Sequence, residues 1–160
     1  LHANSAMSAL TRLLDLGIEP FKLKEETLMR GLVSMRLFKK VCPYCREPLA
    51  NHPERGAYRR VVDAYGNVGL RQVFQRGAGC EHCNGTGNLG RVKAGEIIIT
   101  NSEFLRLALS GNTDGAMRYW LEEMDGRTLK EAASSLMLQG IVSVDELERW
   151  VGYVNEPGAY

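Results

Sequence analysis

Apolar positions along the chain recur first at helical spacing and later in short runs closed off by glycine. From Ser5 to Leu16, Met7, Leu10, Leu13 and Leu14 mark one face of a helix, and Gly17 follows as its C-terminal stop. Leu28, Leu32, Val33 and Met35 predict a second helix from about Phe21 to Lys39. Lys39 and Lys40 would then sit at the negative end of its dipole. Farther on, Pro53 to Ala64 reads as helix and Val68 to Phe74 as a short strand. Residues 91–99 read as a strand that ends in Ile97-Ile98-Ile99-Thr100.

From Asn101 the punctuation predicts a run of short helices. Gly111, Gly126 and Gly140 stand where such helices would end. Thr128-Leu-Lys-Glu131 and Ser143-Val-Asp-Glu146 both have the form of a capping box, in which the first side chain takes the N3 amide and the glutamate reaches back. Trp120, Leu121, Met124, Leu129, Ala132, Leu136, Leu147, Trp150 and Val151 would supply the packed faces, as core rather than as cofactor contacts. Such a tail has the form of a small cap or lid.

Composition narrows the class. The chain has 160 residues, 44% hydrophobic and 24% charged, which excludes a fully disordered protein. No apolar run reaches the ~18 residues of a membrane-spanning helix. The opening Leu-His-Ala-Asn lacks the basic and apolar regions of a secretory signal and has no initiator Met, so it reads as a piece of a longer protein. Net charge is +1, but residues 1–96 carry +6 and residues 97–160 carry −5. A basic front half is compatible with nucleic acid, acidic lipid headgroups or nucleotide phosphates, and the plainer reading is two differently charged subdomains. No block of five like charges forms a basic tail, and no nucleic-acid partner is expected.

The four cysteines change the picture most. They fall as Cys42-Pro-Tyr-Cys45 and Cys80-Glu-His-Cys83, with 34 residues between the pairs. Each C-x-x-C turn puts two thiolates on one side of a tight loop, and two such turns complete a tetrahedral site with metal–sulfur distances of about 2.3 Å. Pro43 and the Asn84-Gly85-Thr86-Gly87 stretch supply turn chemistry, and the glycines let backbone N–H groups approach the sulfurs. Disulfides are disfavoured without any sign of export. Soft thiolates suit zinc, with mononuclear iron as the competitor. Four protein ligands leave no position for an activated water, so the metal would be structural. His82 is then an exposed knuckle residue rather than a ligand, and His52, beside Pro53, a solvated loop residue. CEHCNGTG also matches the C-x-x-C-x-G-x-G unit of DnaJ-type chaperones, but CPYCREPL breaks that repeat.

Taken in order, LHANSAMSALTRLLDLGIEPF, RLFKKVCPYC, CEHCNGTGNLGR and DGRTLKEAASSLMLQGIVSVDEL resemble the C-terminal half of the type II secretion and type IV pilus assembly ATPases. The resemblance implies an α/β fold: the C-terminal remnant of a RecA-like P-loop ATPase core (1–40), an inserted tetracysteine zinc-knuckle subdomain (41–92) and a small α-helical C-terminal subdomain (93–155). It implies a hexamer on the cytoplasmic side of a bacterial inner membrane. There, hydrolysis of ATP with Mg²⁺ would move an inner-membrane platform protein. Leu1–Asn4 matches the family's histidine box, which makes His2 the candidate catalytic residue near the terminal phosphate, with Asn4 beside it in the motif. Cys42, Cys45, Cys80 and Cys83 match the family's zinc ligands.

Three departures mark a divergent branch: Ala3 in place of the usual Thr, Met35 in place of Gln, and GRVKAGEIII in place of the shorter GRTGIYE. No G-x-x-x-x-G-K-[ST] occurs in the chain, so nothing here would cradle phosphates and the chain alone should not hydrolyse ATP. The alternative from another class is a free-standing zinc-knuckle interaction module. A P-loop upstream in the reading frame would discriminate the two.

Overall fold

A computed structural model describes residues 4–25 and 27–157. In chain order the elements are α1 (Ala6–Asp15), α2 (Pro20–Leu23), β1 (Gly31–Val41), β2 (Glu47–Pro48), α3 (Gly56–Leu70), β3 (Phe74–Gln75), β4 (Asn88–Ile99), α4 (Ser102–Leu109), α5 (Thr113–Glu123), α6 (Leu129–Leu138) and α7 (Val144–Val151). This is a mixed α/β chain with two small open sheets, one of β1 with β4 and one of β2 with β3. Two compact units divide it. One holds the described residues through Met35 with Gly95–Leu129, and the other holds Arg36–Ala94 with the described residues from Lys130. Among the described residues, no helix is long and apolar enough to cross a membrane.

In the first unit α1 forms where the apolar stripe predicts it. Ser5 accepts from the Ser8 N–H at 3.0 Å while the Ser8 hydroxyl accepts from the Ser5 N–H at 2.9 Å, a reciprocal cap built from two serines. Gly17 ends the helix with φ 84°. Met7 and Leu10 turn inward to join Leu23, Leu32, Ile98, Phe104, Leu105 and Trp120 in one buried cluster. Asn101 and Asn112 cap α4 and α5. Gly126 is required by space: a Cβ there would stand 2.6 Å from the Trp120 indole.

The second predicted helix is corrected by the structure. Only Pro20–Leu23 is helical, and Gly31–Val41 is strand. Leu32 and Phe38 are 6% and 0% exposed, whereas Val33, Met35 and Leu37 are 56%, 63% and 59% exposed. Apolar residues on both faces of a strand satisfy a helical template as well as an alternating one, so the residue pattern alone did not decide. The partner strand decides it. Gly31 lies against the Ile98 carbonyl and Gly95 against the Ser34 carbonyl, so numbering falls on β4 as it rises on β1 and the two run antiparallel. The predicted strand at 91–99 is present as β4 and begins earlier, at Asn88.

In the second unit, α3 starts at Gly56 and runs to Leu70, broken at Gly66 (φ 66°, ψ −175°). Most of the strand predicted from Val68 is therefore helix or turn, and only Phe74–Gln75 pairs, antiparallel to Glu47–Pro48. The helices predicted for the tail are present, α4 and α5 in the first unit and, from Lys130, α6 and α7 in the second, with Gly111 and Gly140 at φ 83° and 70° just beyond helix ends. Ser143 caps α7 through the Glu146 N–H, as its motif predicts, but the Glu146 carboxylate reaches β1 and accepts from the Lys39 N–H at 3.0 Å.

Two side chains of this unit show what holds α7. Arg60 of α3 donates twice to Glu148, at 2.7 and 2.5 Å, with the two side chains 25% and 7% exposed. Trp150, expected in the core, is 44% exposed, and its ring lies near the Arg36 and Arg149 guanidiniums at 5.3 and 5.8 Å. The indole face takes cations at the rim while Leu147 fills the interior. Urea unfolding should separate the two. Glu148→Ala strands Arg60 and should cost about 3 kcal/mol, whereas Trp150→Ala should cost under about 1 kcal/mol. Equal losses would contradict this assignment of roles.

Candidate metal centre

Cys42 follows the last residue of β1, and Cys45 closes the turn after it. Cys80 precedes and Cys83 ends a single 3₁₀ turn, Glu81–Cys83, whose exit residue Asn84 is left-handed at φ 49°. The four sulfurs lie within 4.8 Å of one another. Cys42 to Cys80 is 3.8 Å, Cys45 to Cys83 is 3.9 Å and Cys80 to Cys83 is 3.8 Å. A tetrahedron of sulfurs with metal bonds of about 2.3 Å has edges of about 3.8 Å. A disulfide would need about 2.05 Å. All four cysteines are free thiols at coordination spacing, and they form a cluster able to hold one tetrahedral ion.

Backbone geometry explains why they converge. The Cys45 and Arg46 N–H groups both donate to the Cys42 carbonyl, at 3.4 and 2.9 Å, which closes the first knuckle. The Cys42 N–H donates to the Gly87 carbonyl at 3.0 Å, which draws the second knuckle onto it. Gly87 adopts φ 68° and turns its own N–H to the Cys83 sulfur at 3.2 Å, the approach predicted for the glycines of this loop. The Cys80 N–H gives Cys83 a second bond at 3.2 Å.

The charges are uneven before any ion is counted. Backbone donation, first from Cys80 and then from Gly87, lowers the Cys83 thiol from 9.0 to about 6. Burial, reinforced by hydrogen bonds with the three other thiols, pushes Cys45 up to about 12. Four thiolates at this spacing repel one another, and a divalent cation is the charge that lets all four deprotonate together. The donor set fits a soft tetrahedral ion.

The family described as Type II/IV secretion system protein matches residues 1–149. The chain belongs to that family. It is 30% identical over 147 residues to the "Type IV pilus assembly ATPase PilB" of Thermus thermophilus, covering 92% of this chain and 16% of that protein. It is 31% identical over 149 residues to the "Type II secretion system ATPase E" of Vibrio cholerae, covering 93% and 28%. To the "Type IV pilus assembly ATPase TfpB" of Acinetobacter baylyi it is 28% identical over 151 residues, covering 94% and 25%. The chain thus spans less than a third of these relatives' length.

In this secretion-system family member, the remaining candidates are placed as follows. His2 lies outside the described residues. His82 is exposed, as expected, and stacks on Tyr44 with ring centroids 3.8 Å apart, so the tips of the two knuckles touch. His52 is more engaged than a solvated loop residue: Nε2 lies 2.8 Å from Glu47 and Nδ1 3.3 Å from Glu54.

Gly77 is the residue that motif reading missed. A Cβ there would fall 1.7 Å from the Cys45 carbonyl oxygen, so two backbones meet with no room for a side chain. The visible signal was Gly77-Ala-Gly79, a glycine pair ahead of the second knuckle to match the pair behind it. Gly77→Ala should therefore lose most of its bound metal on dialysis, read as metal per chain by elemental analysis. Tyr44→Ala, which removes only an exposed ring, should keep it. Full retention by Gly77→Ala would mean that the close approach does not hold the site.

Proposed function

We propose that the chain is the C-terminal part of a hexameric secretion or pilus-assembly ATPase. In it, Cys42, Cys45, Cys80 and Cys83 hold one structural zinc ion, and His2 works beside the terminal phosphate of ATP. The family match over residues 1–149 carries the proposal. Residues 1–40 would belong to a RecA-like ATPase core, 41–92 to the zinc subdomain and 93–155 to the helical C-terminal subdomain. The parts that bind ATP and Mg²⁺ would come from outside this chain, which holds no P-loop sequence. The assembly would act from the cytoplasmic face of the inner membrane on a platform protein.

Zinc is the metal that four thiolates in a tetrahedron favour. With every position filled by sulfur it has no site for water and cannot polarise a phosphate. Its contribution is to folding and to the shape of the surface that carries the knuckles. Hydrolysis depends instead on positioning and on charge neutralisation at the phosphates.

The test uses the full-length protein, purified as a size-selected hexamer. Wild type should hydrolyse ATP and carry one zinc per chain, while the 160-residue chain alone should not turn over. His2→Ala should lower kcat about a hundredfold, the loss typical of removing one group that stabilises transition-state charge. Cys83→Ser should lose zinc and melt at lower temperature, yet its surviving hexamers should keep most of their hydrolysis while pilus assembly or secretion fails in cells. A full-length protein that binds zinc and never hydrolyses ATP would favour an interaction module instead.

A further inference from the structure

Arginines gather at the end of α7 without carboxylates to match them. Trp150 and Tyr153 are 44% and 51% exposed. The Arg36 and Arg149 guanidiniums lie 5.3 and 5.8 Å from the centroid of the Trp150 ring, and Arg60 lies 4.6 Å from that of Tyr153. Every carboxylate of α7 is committed elsewhere. Asp145 pairs with Arg55, Glu146 accepts from the Lys39 N–H, and Glu148 holds Arg60. Among the described residues, Arg36 and Arg149 therefore contact an indole and have no counter-ion. Exposed aromatic rings set among guanidiniums are the composition of an interface centre, because Trp, Tyr and Arg carry a disproportionate share of binding energy.

The opposite excess stands at the end of α5. Glu122, Glu123 and Asp125 are exposed, and no ion pair engages them among the described residues. Glu122 and Glu123 close a helix whose last turn has no basic residue, so they face the negative end of its dipole, where a carboxylate is disfavoured. Cations brought from outside would relieve both the dipole and the mutual repulsion. The basic patch belongs to the second unit and the acidic turn to the first. We propose that, in the hexamer, the patch of Arg36, Arg149 and Trp150 on one copy takes the Glu122–Asp125 turn of the next copy. Guanidiniums would then meet carboxylates, a pairing that arginine makes with two parallel hydrogen bonds, while Trp150 and Tyr153 exclude water around them. Two different surfaces of one chain are joined in this way, so the contact is heterologous and repeats head to tail until a ring closes. A second copy is favoured over a foreign partner because this one chain carries both halves, opposite in charge and each uncompensated. The contact rests on the hexameric reading made above.

The experiment uses the zinc-loaded full-length protein, its mass in solution followed by light scattering across a dilution series. Wild type should be a hexamer. Arg36→Glu/Arg149→Glu and Glu122→Lys/Glu123→Lys should each fall apart at concentrations about tenfold higher or more, since like charges would then face each other across the contact. Mixed in equal amounts, the two variants should recover the wild-type hexamer, because every junction of an alternating ring again pairs unlike charges. Wild-type assembly of either variant, or a mixture that stays dissociated, would overturn the proposal. A dissociated mixture would mean that these charges meet within one copy or on another protein. If the arginine double variant does not fold by circular dichroism, Arg149→Glu, a change at an exposed position, is measured by the same criteria. A wild-type protein that never assembles would sink the hexameric reading and the contact with it. Hexameric variants beside a hexameric wild type would sink the contact alone.

Discussion

Antiparallel pairing of β1 with β4 is the constraint on which the cysteine centre depends. β1 ends at Val41, immediately before Cys42, and β4 begins at Asn88, immediately after Gly87. Running the strands in opposite directions brings those two ends together, and the Cys42 N–H then finds the Gly87 carbonyl. Two knuckles separated by 34 residues thus stand side by side at one end of the β1–β4 pair. Gly77 leaves out the side chain that would hold it off the Cys45 carbonyl, and Gly87 the one that would press on the Gly77 carbonyl.

Around that centre the second unit is tied by polar contacts as much as by apolar packing. The Val41 N–H donates to the Ile141 carbonyl, Arg46 donates to the Gly140 carbonyl, and the Arg46 guanidinium lies 4.0 Å from the Phe74 ring centroid. These bonds join the first knuckle to the turn between α6 and α7. Arg60 and Glu148 fasten α7 to α3. A change in the first knuckle therefore bears directly on the turn between α6 and α7.

Legibility in the sequence followed the kind of information each feature carries. The knuckles were legible because thiolate chemistry fixes both residue type and spacing, and α1 because its stripe lies on one face only. Residues 31–41 were not, since Val33, Met35 and Leu37 on the outward face are as apolar as Leu32 and Phe38 on the inward one, and hydrophobicity does not separate the alternating faces. Gly77 escaped because its role depends on a carbonyl more than thirty positions away in the chain. Trp150 was misjudged because an indole is stable at a rim beside two guanidiniums as well as in a core.

We propose that the four thiolates of Cys42, Cys45, Cys80 and Cys83 are the whole inner shell of one zinc ion. X-ray absorption at the zinc edge of the purified protein tests it most directly. Four sulfur neighbours at about 2.3 Å are expected, with no nitrogen or oxygen in the inner shell. A nitrogen neighbour, as from His82, or an oxygen neighbour, as from water, would contradict it, since either would leave one cysteine unbound or the metal open to chemistry.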